Sequence, residues 1–78
     1  MTTRVVVTVM PRTETLDPQG QAVAGALHQL GFDDLGDVRI GKRIVLEITG
    51  DDPVAQAHAM CDRLLVNRLI EDYEVEAG

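Results

Sequence analysis

The side chains able to do chemistry are few and scattered. Cys61 is the single thiol, and it falls between Ala57 and Leu64 on an apolar helical stripe. A thiol so placed fills core and has a raised pKa, so it reads as packing rather than as a nucleophile. His28 and His58 lie mid-helix on separate helices with no second ligand at metal spacing, and read as helix-flank residues. The pairs Asp33-Asp34 and Asp51-Asp52 fall in a loop and at a helix start, where adjacent acids cap and solvate more often than they move protons. Glu71, Asp72, Glu74 and Glu76 run along one segment. Their simplest role is a solvated strand face that discourages stray edge pairing, with a cation site or a dock for a basic partner as the alternative. Arg39, Gly41, Lys42 and Arg43 concentrate the basic charge, either as a gatekeeping turn or as a contact for an anionic group on a partner. No nucleophile–base pair, phosphate-cradling glycine loop or metal set emerges. On spacing alone the chain reads as an interaction domain.

The elements that must position these residues follow from periodicity. Arg4 to Met10 is rich in β-branched residues and predicts a strand that Pro11 ends. Asp17-Pro18 opens a helix, the carboxylate capping the first turn and the proline pre-set for its first position. Ala22, Val23, Ala26, Leu27 and Leu30 form its apolar face, and Gly31 stops it. Gly20 inside the first turn costs helix stability, so either a neighbouring chain approaches there or the turn is irregular. Asp37–Ile40 and Arg43–Thr49 predict two strands joined as a hairpin by a tight turn at Gly41-Lys42. Asp52-Pro53 opens a second helix with Val54, Ala57, Cys61, Leu64 and Leu65 as its stripe and Asn67 as its cap. Leu69 to Glu76 predicts a last strand with Glu71 out of pattern. The order βαββαβ predicts one α+β domain over residues 1–78. It would be a ferredoxin-like two-layer sandwich whose antiparallel four-stranded sheet carries both helices on one face. The other face would bear Val6, Met10 and Val45, which a lone chain should not leave bare.

Composition narrows the class. Of 78 residues 45% are hydrophobic, enough for a core, yet a domain this small has a thin stability margin. One cysteine excludes an internal disulfide, which leaves partner subunits as the remaining remedy. Thirteen acids against seven bases give a net charge of −6, which disfavours nucleic acid and anionic membrane as partners. Phe32 and Tyr73 are the whole aromatic complement, so no stacking platform for single strands exists. No apolar run reaches membrane-spanning length and the N-terminus lacks a signal-peptide h-region, so a soluble cytoplasmic protein is expected.

An ordered set of residues carries a resemblance. Leu16-Asp17-Pro18-Gln19-Gly20, Ala26-Leu27, Leu30-Gly31 and Val38-Arg39-Ile40-Gly41-Lys42 are followed by Cys61, Leu64-Leu65, Asn67 and Ile70-Glu71-Asp72-Tyr73-Glu74-Val75. This set resembles the PurS family, the small subunit of phosphoribosylformylglycinamidine synthase, over nearly the whole chain. The resemblance implies a subunit without an active site in the fourth step of purine synthesis. A large synthetase subunit, PurL, would use ATP and Mg2+, and a glutaminase subunit, PurQ, would release ammonia. The small subunit would hold the two together and assist ammonia transfer, forming a homodimer or tetramer, with no cofactor in this chain. It further marks Asp17, Pro18, Gln19, Gly20, Arg39, Gly41, Lys42, Asn67 and Tyr73 as family positions. All of these but Pro18, together with Arg43, are partner-interface candidates. Where many members have Asn-Pro, this chain has Asn67-Arg68. The rival reading is a free-standing ferredoxin-like regulatory domain that binds a small molecule. Such domains usually have a glycine in the loop after the first strand, and here that loop has none.

Overall fold

A computed structural model describes residues 1–78. Strand β1 spans Thr2–Pro11, helix α1 Pro18–Gln29, strand β2 Lys42–Thr49, helix α2 Pro53–Met60 and strand β3 Glu71–Ala77; a π-helical turn, Cys61–Leu65, extends α2. The sheet has three antiparallel strands in the order β2-β1-β3. Its central strand is the valine-rich one, as burial on one face and ladder bonds on both edges would favour. Val5, Val7 and Val9 point to the face that α2 covers, opposite Leu46, Ile44 and Lys42 of β2 and Ala77, Val75 and Tyr73 of β3. Cys61 and Val66 close one cluster over Val7 and Val9, and Ala57 closes a second over Val5 and Ile48.

The four-stranded sandwich is not what forms. Residues 37–40 do not make a strand, and no hairpin turns at Gly41-Lys42. The reason lies in where their polar groups go. The Ile40 N–H donates to a carboxylate oxygen of Asp17 at 2.8 Å instead of to a ladder. A Cβ on Gly41 would run into the Val9 carbonyl oxygen, so that glycine serves a close crossing of two chain segments rather than a turn. The sequence pattern registers neither partner, because both lie far away along the chain.

The placement of α1 is the second correction. It was expected beside α2 on the sheet, but it packs against no strand and no other helix. The molecule is correspondingly long, 50 × 24 × 14 Å. Its radius of gyration of 15.9 Å compares with about 11.5 Å for a compact domain of this length. The apolar stripe of α1 is left open, with Val23 and Leu30 exposed.

Helix α2 departs from its expected stripe in its last turn. The Val66 N–H donates to the Cys61 carbonyl at 3.1 Å, a five-residue step that inserts one extra residue into the turn. Cys61 and Val66 are thereby both buried, while Leu64 is rotated out to 84% exposure. Asn67 does not cap this helix. Its side-chain oxygen accepts from the Leu69 N–H at 3.1 Å and its carbonyl accepts from Ile70 and Glu71, building the turn into β3. That turn keeps Leu69 and Ile70 out of the last strand, which starts at Glu71. The open face of the sheet does carry Val6, Met10 and Val45; Val6 is half-buried, Met10 and Val45 are exposed, and no helix covers that face.

Candidate functional site

Four of the interface candidates meet at one joint. Asp17 caps α1, its Oδ1 accepting from the Gly20 N–H at 3.0 Å and its Oδ2 from the Ile40 N–H at 2.8 Å. These two bonds, the Gly20 bond foremost, hold the carboxyl below the usual aspartate range. Pro18 occupies the first turn as the sequence suggested. Gly20 is required because the segment 38–40 presses on the helix start, so that a Cβ there would meet the Val38 carbonyl oxygen. The close approach inferred for that glycine therefore comes from the same chain. Arg39 projects across the preceding loop, where its guanidinium donates to the carbonyls of Thr15 and Pro11, at 3.3 Å each, and of Arg12. Arg39 is thus occupied with backbone, and it fixes the loop between β1 and α1. Gly41 completes the joint beneath Val9. Gln19, beside the cap, is exposed.

Lys42 and Arg43 stand apart from that joint at the start of β2. Both are exposed, and no acid lies within ion-pair distance of either. They are the free cations of the basic concentration, whereas Arg39 is internal.

A second cluster lies at the other end of the candidate set. Tyr73 reaches from β3 to α2, its hydroxyl 2.8 Å from His58 Nδ1, with the two rings 5.6 Å apart. The Arg68 guanidinium sits 5.4 Å over the Tyr73 ring and pairs with Asp62 at 2.9 Å. Arg12 joins from the β1 end, donating to the Arg68 carbonyl at 2.7 Å and lying 3.7 Å from Asp72. Sequence reasoning missed Arg12 and the His58–Tyr73 pair, whose partners lie 56 and 15 residues away, and it missed Arg68, whose partners Asp62 and Tyr73 are near in sequence but on different elements. Asn67 adjoins the cluster through its backbone N–H, which donates to Glu71 Oε1 at 2.8 Å. The structure therefore divides the candidates among a joint, a cationic edge and an aromatic cluster, and gathers them into no single cleft.

The remaining titratable groups build no reaction centre. Cys61 is fully buried, and burial followed by the neighbouring Asp62 charge pushes its thiol pKa up. His28 bonds the Leu35 carbonyl at 3.0 Å. No three His, Cys, Asp or Glu side chains gather around a common point that would suit a metal ion. No helix is long and apolar enough to cross a membrane. An apolar groove of about 450 Å³ lies between α2 and β2, lined chiefly by Leu46, Ala59, Met60, Leu64 and Leu65.

Comparison with known proteins places this arrangement. Residues 4–78 match the family model described as PurS, phosphoribosylformylglycinamidine (FGAM) synthase. The chain is 49% identical over 72 residues to the phosphoribosylformylglycinamidine synthase subunit PurS of Mycobacterium leprae, covering 92% of this chain and 91% of that one. It superposes on the structure of Bacillus subtilis PurS with a TM-score of 0.90 at 42% identity, covering 100% of this chain and 99% of the other. A chain in the structure of PurLQS from Thermotoga maritima gives a TM-score of 0.87 at 26% identity, covering 100% and 99%.

Proposed function

The chain belongs to the PurS family, and from that premise we propose that it is the small, non-catalytic subunit of a phosphoribosylformylglycinamidine synthase in purine biosynthesis. The observation that carries this reading is the full-length superposition on a chain of the Thermotoga maritima PurLQS structure. In the complex, the chain bridges a synthetase subunit and a glutaminase subunit and assists the passage of ammonia between them. ATP and Mg2+ are used by the large subunit, and this chain holds neither. The assembly is cytoplasmic. The regulatory-domain alternative is not favoured, because the match to synthase subunits runs from end to end.

The chain itself acts as a homodimer or tetramer. Only nine of its 78 residues are buried, too few for a core that stands alone. Among the interface candidates, Gln19, Lys42, Arg43, Asn67 and Tyr73 meet partner subunits directly. Asp17, Gly20, Arg39 and Gly41 act through the joint that orients α1.

Light scattering on a size-exclusion column tests the reading. The chain is run alone, then with its organism's synthetase and glutaminase subunits, glutamine and Mg-ADP. A ternary complex containing two copies of this chain is the expected result. A lone oligomer that ignores both partners would remove the bridging role.

A further inference from the structure

We infer that the tip of the α1 arm, residues 30–37, is a docking surface for a partner subunit of the synthase: an arginine of that subunit seats in the hollow beside Phe32, its guanidinium on Asp33 and Asp34. The inference rests on the bridging role proposed above and names one surface for it.

The tip is held out and held still. Helix α1 is about 18 Å long and packs against no strand or other helix, so it carries residues 30–37 about that far from the joint at its start. The bonds at Asp17 and the close approach at Gly20 set the direction in which it points. At the far end the chain closes on itself. Gly31 turns in the left-handed region, and the Gly31 and Phe32 N–H groups donate to the His28 and Leu27 carbonyls at 3.0 and 3.1 Å. The Leu35 N–H donates to the Phe32 carbonyl at 3.4 Å, and His28 Nε2 donates to the Leu35 carbonyl at 3.0 Å. His28 thereby has a task, tying the loop to the helix that displays it. A loop so tied loses little conformational freedom when a partner meets it.

What the tip presents is apolar surface set among acids. Leu30 is 74% exposed and Phe32 59%, although Phe32 is one of only two aromatic residues in the chain. Beside Phe32 lies a hollow of about 510 Å³, walled by Leu27, Gly31 and Leu35 together with Asp33 and Asp34. Neither acid has a cation within ion-pair distance, and neither does Asp37. None is near in sequence either, since Leu16 to Val38 contains no Lys or Arg.

The occupant follows from this combination of ring and charge. A purely solvated acidic loop has no need of an aromatic side chain in water. A purely apolar partner would cover carboxylates that have no counter-charge, which is strongly unfavourable. An arginine answers both. Its guanidinium forms paired hydrogen bonds with a carboxylate and lies flat on an aromatic ring, while its aliphatic stem packs against leucine. A lysine would meet the charge without the planar stacking. A second copy of this chain fits poorly, because each copy carries a net charge of −6.

Titration of the full chain into the synthetase and glutaminase subunits, with glutamine and Mg-ADP, at low and ordinary salt tests this. Phe32→Ala and, separately, Asp33→Asn with Asp34→Asn change only exposed side chains. Each should weaken entry into the ternary complex about 10-fold or more. The Asn variant should also show a shallower salt dependence than wild type. Circular dichroism, and self-association followed by sedimentation, should be unchanged in both. Variants that join the complex as tightly as wild type, or that weaken self-association instead, overturn the docking site and leave the bridging role intact. An unchanged salt slope in the Asn variant overturns the pairing with arginine. A wild-type chain that joins neither subunit ends the bridging role, and the docking site with it.

Discussion

At the scale of the residue, the family positions separate by what their polar atoms already do. Asp17 uses both carboxylate oxygens within the chain, so its charge contributes to stability wherever it is ionised. Its folded pKa lies below the ordinary value, hence that contribution is complete above about pH 4 and is lost as pH falls through the folded value. Glu14 is lowered too, by its own N–H and by the Thr13 hydroxyl, and acts in the same direction. Urea midpoints of wild type and Asp17→Asn should therefore converge on acidification, because the variant lacks the Asp17 part of the acid loss. Parallel curves would show that the carboxylate contributes nothing. Arg39→Ala leaves three backbone carbonyls without their donor and should cost about 1–3 kcal/mol in a denaturant titration. Lys42 and Arg43 have no such internal work. Lys42→Glu with Arg43→Glu should weaken binding to the partner subunits at ordinary salt and leave the unfolding midpoint within about 0.5 kcal/mol. Unchanged affinity for the complex would rule that contact out.

At the scale of the element, α1 and α2 share an Asp-Pro opening and differ in what supports them. Asp52 caps α2 from the left-handed region, φ 53°, which aspartate tolerates, and the helix then lies across all three strands. Helix α1 starts with a shorter capping bond, 3.0 Å against 3.4 Å, and beyond its contact with segment 38–40 packs against no strand or other helix of its own chain. A peptide of residues 16–33 should accordingly show little helix by circular dichroism in water, about the baseline of an unpacked chain. Strong helicity there would mean that α1 needs no covering surface. The π-helical turn is the other element-scale decision. It lets Cys61 and Val66 both reach the sheet, at the cost of turning Leu64 outward, where it lines the groove.

At the scale of the whole molecule, three strands and one covering helix give a thin core extended by a long arm. On the self-association proposed above, such a chain would gain much of its stability from its partner copy, so that folding and association are linked. Its thermal midpoint should rise measurably as protein concentration increases from about 1 to 100 μM, the behaviour of a folded oligomer in equilibrium with unfolded chains. A midpoint independent of concentration over that range would show that a single copy is stable on its own.

The sequence by itself determined the local choices. The valine run made a strand, the two Asp-Pro steps made helix starts, Gly31 stopped α1 with its φ of 101°, and Cys61 took its place in the core. The ordered motif from Leu16 to Val75 carried the family. All of these depend on neighbours within a few residues, or on residue identity alone. Only the tertiary structure decided that residues 37–40 leave the ladder, that Arg39 and Gly41 face inward, that Tyr73 meets His58 and Arg68, and that α1 stands away from the sheet. The physical reason is common to them. A hydrophobic period states which face of an element must be covered, and a polar residue states that a partner is needed. Which surface or atom answers is set by chain segments tens of residues away, here Asp17 against Ile40 and Gly41 against Val9.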